Sequence, residues 1–359
     1  MGENTPPLIL EGQGAVTRTS DRMTTTGSAI KDISAAIRKR GNQGANRGKT
    51  YVRQSSGYDR SSIFGEVVLA ILIASDVPEY RHLKSNHVYS LWQKIAILVF
   101  MAYQDIPMNS LQSELGKYQG FVKSIGIGTI PHGSTMCKFL KSIDKSLIER
   151  AFLPFQRLIA KGSTTAMDAT GLSNFIRSAH YEFRCDDFGK KLPHRTFTKL
   201  SIVIDTSTRF VLSARAAIGN RNDIKFAEDH VSDLVHCKDK VGVFLADRGY
   251  DSSELHMDLA LRIGCEVRIP VRESKKNGYT VHGLSRRRML TFMKSKAEWK
   301  KAYGKRSVIE STNFMVKNLT GANIRCLLGE SRNKTALLKA LAFNIENSMR
   351  LGMDWMLTV

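Results

Sequence analysis

Acidic residues are scarce in this chain: 33 Asp and Glu stand against 54 Lys and Arg, a formal net charge of +21, and the pI is near 9.9. That imbalance suits a polyanionic partner, with nucleic acid the first candidate. Long apolar runs are also missing. The two longest, residues 67–74 and 95–103, fall well short of the roughly 20 residues that span a bilayer, so no membrane segment is expected. The first residues show no basic start followed by an apolar stretch, so no secretory signal is expected and a cytoplasmic, nucleoid-associated location follows. Cysteine is sparse: Cys137, Cys185, Cys237, Cys265 and Cys326 form no C-x-x-C pair and have no histidine at the spacing of a zinc module. They read as reduced structural thiols, and zinc is not expected.

What basic charge there is clusters. Between positions 271 and 309 there are twelve Lys or Arg and two acids, Glu273 and Glu298. Nearly half of the net charge is therefore concentrated in about a tenth of the chain, a patch rather than a background. Three adjacent arginines, Arg286, Arg287 and Arg288, lie in this stretch. They cannot all face one way on a regular helix and are costly to bury, so they read as phosphate contacts.

Residues 1–60 are rich in Gly, Ser, Thr and Asn, with ten Lys or Arg against five acids, and read as a flexible basic arm. Residues 61–157 carry apolar residues at helical spacing, with helices expected over 65–75, 90–103, 108–115 and 134–147. This is a small all-α domain, and a helix-turn-helix over 111–140 would place Lys138 and Lys141 on its second helix. Residues 158–352 change character. Strands are expected over 163–170, 198–204, 209–217, 241–246 and 265–271, and helices over 223–236 and 252–263, with a last helix around Tyr303. Parallel pairing of the first and fourth strands then gives an α/β fold, a ribonuclease H-like mixed sheet flanked by helices. On the last helix, Val308, Met315 and Leu319 would pack against the sheet.

Three acids stand where these elements deliver a carboxylate to one place: Asp168 in MDATG, Asp247 in ADRGYD and Glu310 in YGKRSVIESTNFMVK. Tyr303, Arg306, Glu310 and Lys317 fall within an arc of roughly 60° on one continuous helix. A stripe holding one carboxylate between cationic and phenolic groups suits a site that handles phosphates. Breaking a phosphodiester needs a deprotonated nucleophile, a stabilised leaving oxygen and neutralised charge, which two divalent cations supply. Mg²⁺ takes oxygen ligands and keeps several waters, so three carboxylates suffice. Read singly, each acid has a plainer alternative: Asp168 a turn residue, Asp247 a partner of Arg248, Glu310 a partner of Arg306. Asp223, in GNRND, reads as a helix-start residue, and Trp299 as a helix-packing residue that is also placed to stack on a base.

With these residues in view, the chain resembles the DDE-type insertion-sequence transposases of the IS4/IS5 group. Their Y-x2-R-x3-E-x6-K signature is met by Tyr303, Arg306, Glu310 and Lys317, joined to the D-x-T-G and D-R-G-Y contexts in order. The resemblance covers about residues 91–350. It implies that Asp168, Asp247 and Glu310 are a catalytic triad binding Mg²⁺ or Mn²⁺ in a two-metal site. It implies that Arg306 and Lys317 hold DNA phosphates and that Tyr303 meets the terminal nucleotides; Arg248 joins the DNA-binding set. The expected partners are the terminal inverted repeats of the element and target DNA, with a homodimer in the DNA complex. Asp247 and Glu310 are only 63 positions apart, which leaves no room for the large β-rich insertion of some relatives and leaves hairpin formation open. A nuclease of the same fold and a catalytically silent, transposase-derived DNA-binding protein remain as alternatives.

Overall fold

The computed structural model describes residues 59–81, 87–174, 197–219, 221–272, 283–326 and 328–352, together with residues 184, 187 and 189. The expected basic arm lies outside the described residues, apart from its last two positions. Residues 54–351 form one compact unit.

The described residues begin with helices: α1 (Arg60–Ala74), α2 (Leu91–Gln104), α3 (Leu111–Leu115), α4 (Gln119–Ser124), α5 (Gly133–Ser142), α6 (Lys145–Arg150) and α7 (Leu153–Gln156). Local signals fix their starts. Asp59 caps α1 through the Ser61 amide, and Ser90 and Gln93 form a reciprocal capping box at α2, satisfying amides that no helical carbonyl reaches. Phe64, Phe100 and Phe121 close a buried aromatic cluster, with Phe100 and Phe121 stacked at 4.0 Å.

Five strands follow: β1 (Ser163–Ser173), β2 (Phe197–Asp205), β3 (Val211–Ile218), β4 (Val241–Ala246) and β5 (Glu266–Arg268), in the sheet order β3-β2-β1-β4-β5. The first three are antiparallel neighbours, and β1 runs parallel to β4. This is the mixed ribonuclease H-like sheet, and the expected pairing of the first and fourth strands holds. β5 is shorter than the expected 265–271, and β1 runs past its expected end to Ser173, so Asp168 is mid-strand. Its extension is paired, because Thr170, Gly171 and Leu172 meet Leu200, Lys199 and Thr198 on β2.

The remaining helices are α8 (Ala227–Leu234), α9 (Ser253–Asp258), α10 (Leu284–Lys294), α11 (Lys296–Tyr303), α12 (Ser307–Thr320) and α13 (Gly329–Leu351). Helix α13 joins the sheet to the amino-terminal helices. Asn344 exchanges two hydrogen bonds of 2.7 Å with the backbone of Val211, and Asn347 donates to Thr208 O. On its other side, Glu346 accepts hydrogen bonds from Arg60 and from Tyr103. Lys339, 2% exposed, donates to Thr320 O and Gly321 O at the carboxyl end of α12, where a cation meets the negative end of a helix dipole. Burial lowers its pKa to about 8, opposed by Asp105.

Two expectations for the last segment are corrected. Tyr303 to Lys317 is not one helix: α11 ends at Tyr303 and a 3-10 turn, Gly304–Arg306, precedes α12. Glycine follows Tyr303 directly and favours the break. The buried side of α12 is Ile309, Thr312, Asn313, Val316 and Thr320, rather than Val308, Met315 and Leu319. Thr312 and Thr320 return their hydroxyls to the carbonyls four residues earlier, both at 2.8 Å, so they enter the interior without an unpaired donor.

Candidate active site

Met167 on β1 faces Ala246 on β4 in parallel register. Asp168 follows on β1, and Asp247 is the first residue beyond β4. Beyond Ala246 the chain leaves the sheet, and Asp247 caps a short turn, Arg248–Tyr250, by accepting from the Gly249 amide at 2.5 Å. A Cβ on Gly249 would stand 2.7 Å from Asp247 Oδ1. Glycine is therefore what lets the carboxylate fold back on this amide.

Glu310 lies in the first turn of α12, where the helix dipole favours a carboxylate. Arg306 links it to the strands. Its Nη1 donates to Glu310 Oε1 at 2.7 Å, and its Nη2 is 3.9 Å from Asp247 Oδ2. From the buried side of α12, Asn313 Nδ2 donates to Asp168 Oδ2 at 3.2 Å. Burial raises the Asp168 carboxyl above its ordinary range; the Ala169 amide and Arg306 oppose this, and the negative charges of Asp247 and Glu310 add to it. Burial alone would lower the Arg306 pKa, but Tyr303 and the three carboxylates outweigh it and the net shift is upward. One cation thus serves three mutually repelling acids.

Tyr303 reaches the same place from α11. Its hydroxyl donates to Ala246 O at 2.9 Å, next to Asp247, and burial pushes its pKa up to about 12. Trp299 stacks on it at 4.6 Å and 15°, with Phe292 edge-on to Trp299. Trp299 is therefore engaged in helix packing, and Tyr303 buttresses the Asp247 turn.

Behind that turn is a second ionic cluster. Asp251, whose side chain is 1% exposed, accepts from Arg286 Nε at 2.8 Å, Arg286 Nη2 at 2.7 Å and the Arg272 amide at 2.8 Å. Arg272 also donates to the carbonyls of Arg248 and Gly249. The arginine run thus divides: Arg286 grips Asp251, while Arg287 and Arg288 occupy exposed positions of α10. Burying a lone arginine is costly, and the two hydrogen bonds from Arg286 to a buried carboxylate offset that cost, which takes Arg286 out of the expected phosphate-contacting set. His256 stands 3.7 Å from Asp251 Oδ1, and its Nδ1 is 3.2 Å from Ser285 Oγ. Burial lowers its pKa to about 4 despite Asp251, so it is neutral and the contact is not an ion pair.

The other residues read from the sequence are spread more widely. Arg248 is exposed on the Asp247 turn, and Lys317 is half-buried about two turns beyond Glu310. Asp223 opens a short 3-10 helix behind its cap Asn222 and is held by Lys199 at 2.5 Å, as a helix-start residue. Lys138 and Lys141 are exposed on α5, which His132 caps. Eight residues, 125–132, separate α5 from α4. Asn313 and Asp251 escaped the sequence reading. Asn313 falls three residues after Glu310, and Asp251 closes the ADRGYD stretch, but only the fold reveals their partners.

Among the described residues, no three His, Cys, Asp or Glu side chains stand close enough together to hold a metal ion; Glu310 turns to Arg306 instead. Two buried polar atoms at this place have no hydrogen-bond partner, Asn313 Oδ1 and Arg306 Nε. No described helix is long and apolar enough to cross a membrane, and the four described cysteines are free.

Residues 159–345, more than half of the chain, match the family model described as Transposase DDE domain. The chain belongs to the DDE transposase family. The match spans the whole sheet, the Asp168, Asp247 and Glu310 positions and most of α13, and DNA is the partner that membership implies. Among solved structures, the chain is similar to a cryo-EM structure of the piggyBac transposase synaptic complex with hairpin DNA. The identity is 9% and the TM-score 0.37, over 81% of this chain and 72% of that one. No curated protein matches the chain.

Proposed function

We propose that this transposase binds the terminal inverted repeats of its own insertion sequence, cuts at their ends and joins the freed 3′ hydroxyl to target DNA. The observation that carries this reading is the shared cation: Arg306 stands 2.7 Å from Glu310 and 3.9 Å from Asp247, while Asn313 on the same helix as Glu310 holds Asp168. Asp168, Asp247 and Glu310 would hold Mg²⁺ or Mn²⁺ in a two-metal site. Three carboxylates are a hard oxygen donor set that suits either ion. When bound, such ions activate the attacking oxygen and stabilise the leaving one.

The side chains of this chain supply the rest. Arg306 holds the carboxylates together against their repulsion and, once Glu310 turns away, carries two donors suited to a phosphate. Tyr303 keeps the start of the Asp247 turn in place through Ala246 O. Lys317 and the exposed Arg248, Arg287 and Arg288 would meet the DNA backbone, and the exposed lysines of α5 would extend the basic surface. Arg286 serves the site from behind, through Asp251. Residues 61–157 would serve as the DNA-binding part and residues 158–352 as the catalytic part, acting as a homodimer on two paired ends.

The test is incubation of the purified chain with labelled DNA carrying the element's end sequence, in Mg²⁺ or in EDTA, beside Glu310→Gln. Metal-dependent cutting at the boundary is expected, lost in Glu310→Gln with DNA binding kept. Binding without cutting by the unaltered chain would overturn the catalytic reading in favour of a DNA-binding protein.

A further inference from the structure

Asn313 is 6% exposed and lies one turn beyond Glu310 on the side of α12 that packs on β1. Its Nδ2 is committed to Asp168 Oδ2 at 3.2 Å. Its Oδ1 is buried without a partner, an unfavourable state for an amide oxygen. Reversing the amide gives no relief, because the oxygen would then face a carboxylate and the NH₂ group would be left unpaired. Neighbouring polar residues of α12 satisfy themselves within the helix, as Thr312 and Thr320 do. On α12, then, the buried residue left with an unpaired atom is the one that touches Asp168.

We propose that Asn313 is a positioning residue for the divalent cation. Its Nδ2 fixes the orientation of Asp168 and leaves the other carboxylate oxygen for the ion. Its Oδ1 accepts a hydrogen bond from water that enters with the hydrated cation, which accounts for both ends of the amide. The inference rests on the transposase reading above. It adds a fourth side chain to the three acids, one that acts through Asp168 and water. Partners of this kind typically alter metal affinity or activity by about 10–100-fold.

The test uses the full chain without DNA, with Mn²⁺ binding followed by electron paramagnetic resonance. Asn313→Leu, similar in volume and without polar atoms, is expected to bind Mn²⁺ at least about tenfold more weakly while melting at or above the temperature of the unaltered chain. A role in packing alone would lower the melting temperature and leave Mn²⁺ affinity unchanged, and unchanged affinity overturns the proposal. Asn313→Asp keeps the size but cannot donate to Asp168, so it guards against a folding defect in the leucine variant. Its cutting of end DNA at saturating Mn²⁺ is expected to be at least about tenfold slower, and cutting at the unaltered rate likewise overturns the proposal. If the unaltered chain neither binds Mn²⁺ nor cuts, it is the catalytic reading that falls, an outcome distinct from a variant that matches an active parent.

Discussion

Arg306 donates to Glu310 at 2.7 Å across one turn of chain, and the same guanidinium stands 3.9 Å from Asp247. With no cation bound, Arg306 is the group that balances Asp168, Asp247 and Glu310. Replacing it with alanine should therefore destabilise the protein in EDTA by about 1–2 kcal/mol, a modest figure because Glu310 is largely exposed. Mn²⁺ should narrow the difference by supplying the missing charge. Urea unfolding of Arg306→Ala and the unaltered chain, each with EDTA and with Mn²⁺, checks this; a difference indifferent to Mn²⁺ contradicts it.

Gly249→Ala probes the Asp247 turn. The added Cβ would meet Asp247 Oδ1 at 2.7 Å, so the carboxylate must shift from its place on the Gly249 amide. Cutting of end DNA should drop by about tenfold or more, as displacing a positioned group by an ångström can cost 10²-fold. Binding of the same DNA should stay within about twofold, since no phosphate-facing cation is touched. Single-turnover cutting beside a binding titration separates the two effects.

The arginine run offers a comparison inside one helix. Arg287→Ala and Arg288→Ala should each flatten the dependence of log K on log salt by about one, the mark of a lost phosphate contact. Arg286→Ala should leave that slope unchanged. It should instead destabilise the fold by about 3–5 kcal/mol, by leaving Asp251 buried without its cation. Fluorescence anisotropy at several salt concentrations and urea unfolding together distinguish the two classes.

Stability should fall in mild acid. His256 is held neutral in the fold, with a pKa lowered from 6.5 to about 4 by burial, and His230 shifts the same way because it is buried and near Arg215. Below pH 6.5 the unfolded chain takes up protons that the folded chain does not. Each histidine then removes up to about 1.4 kcal/mol per pH unit. For His256 the stability is fully present above pH 6.5 and is lost down to about pH 4. Urea unfolding at stepped pH should trace this limb, and His256→Gln should make it shallower.

The sheet was legible because its signals are local. The 241–246 run is β4 to the residue, the hairpin turn falls between β2 and β3, and the parallel pairing of β1 with β4 follows from their order. The acids were legible because each sits among distinctive neighbours, MDATG, ADRGYD and the stretch from Tyr303 to Lys317. The buried side of α12 was not legible, because the side opposite the stripe of Tyr303, Arg306, Glu310 and Lys317 is not the one against the sheet; the fold turns Asn313 and two self-satisfied threonines inward. Asn313 and Asp251 were not legible, since their partners lie 145 residues away at Asp168 and 35 residues away at Arg286. Polar partnerships at such separations leave no periodicity in the chain.

The attachments of α12 are unequal at its two ends. Its carboxyl end is held by Lys339, and the chain just beyond it pairs with Ser173 through Ala322 O and the Ile324 amide. Its amino end follows the 3-10 turn of Gly304–Arg306 and is tied to the Asp247 turn through side chains, those of Tyr303 and Arg306. The helix is thus mounted like a beam clamped at Thr320. Glu310 stands about 15 Å along it from the clamp and Asn313 about 10 Å, at 1.5 Å per residue. A slight tilt about the clamped end moves Glu310 half as far again as Asn313. Any such tilt would strain the Arg306–Glu310 side of the site more than the contact of Asn313 with Asp168.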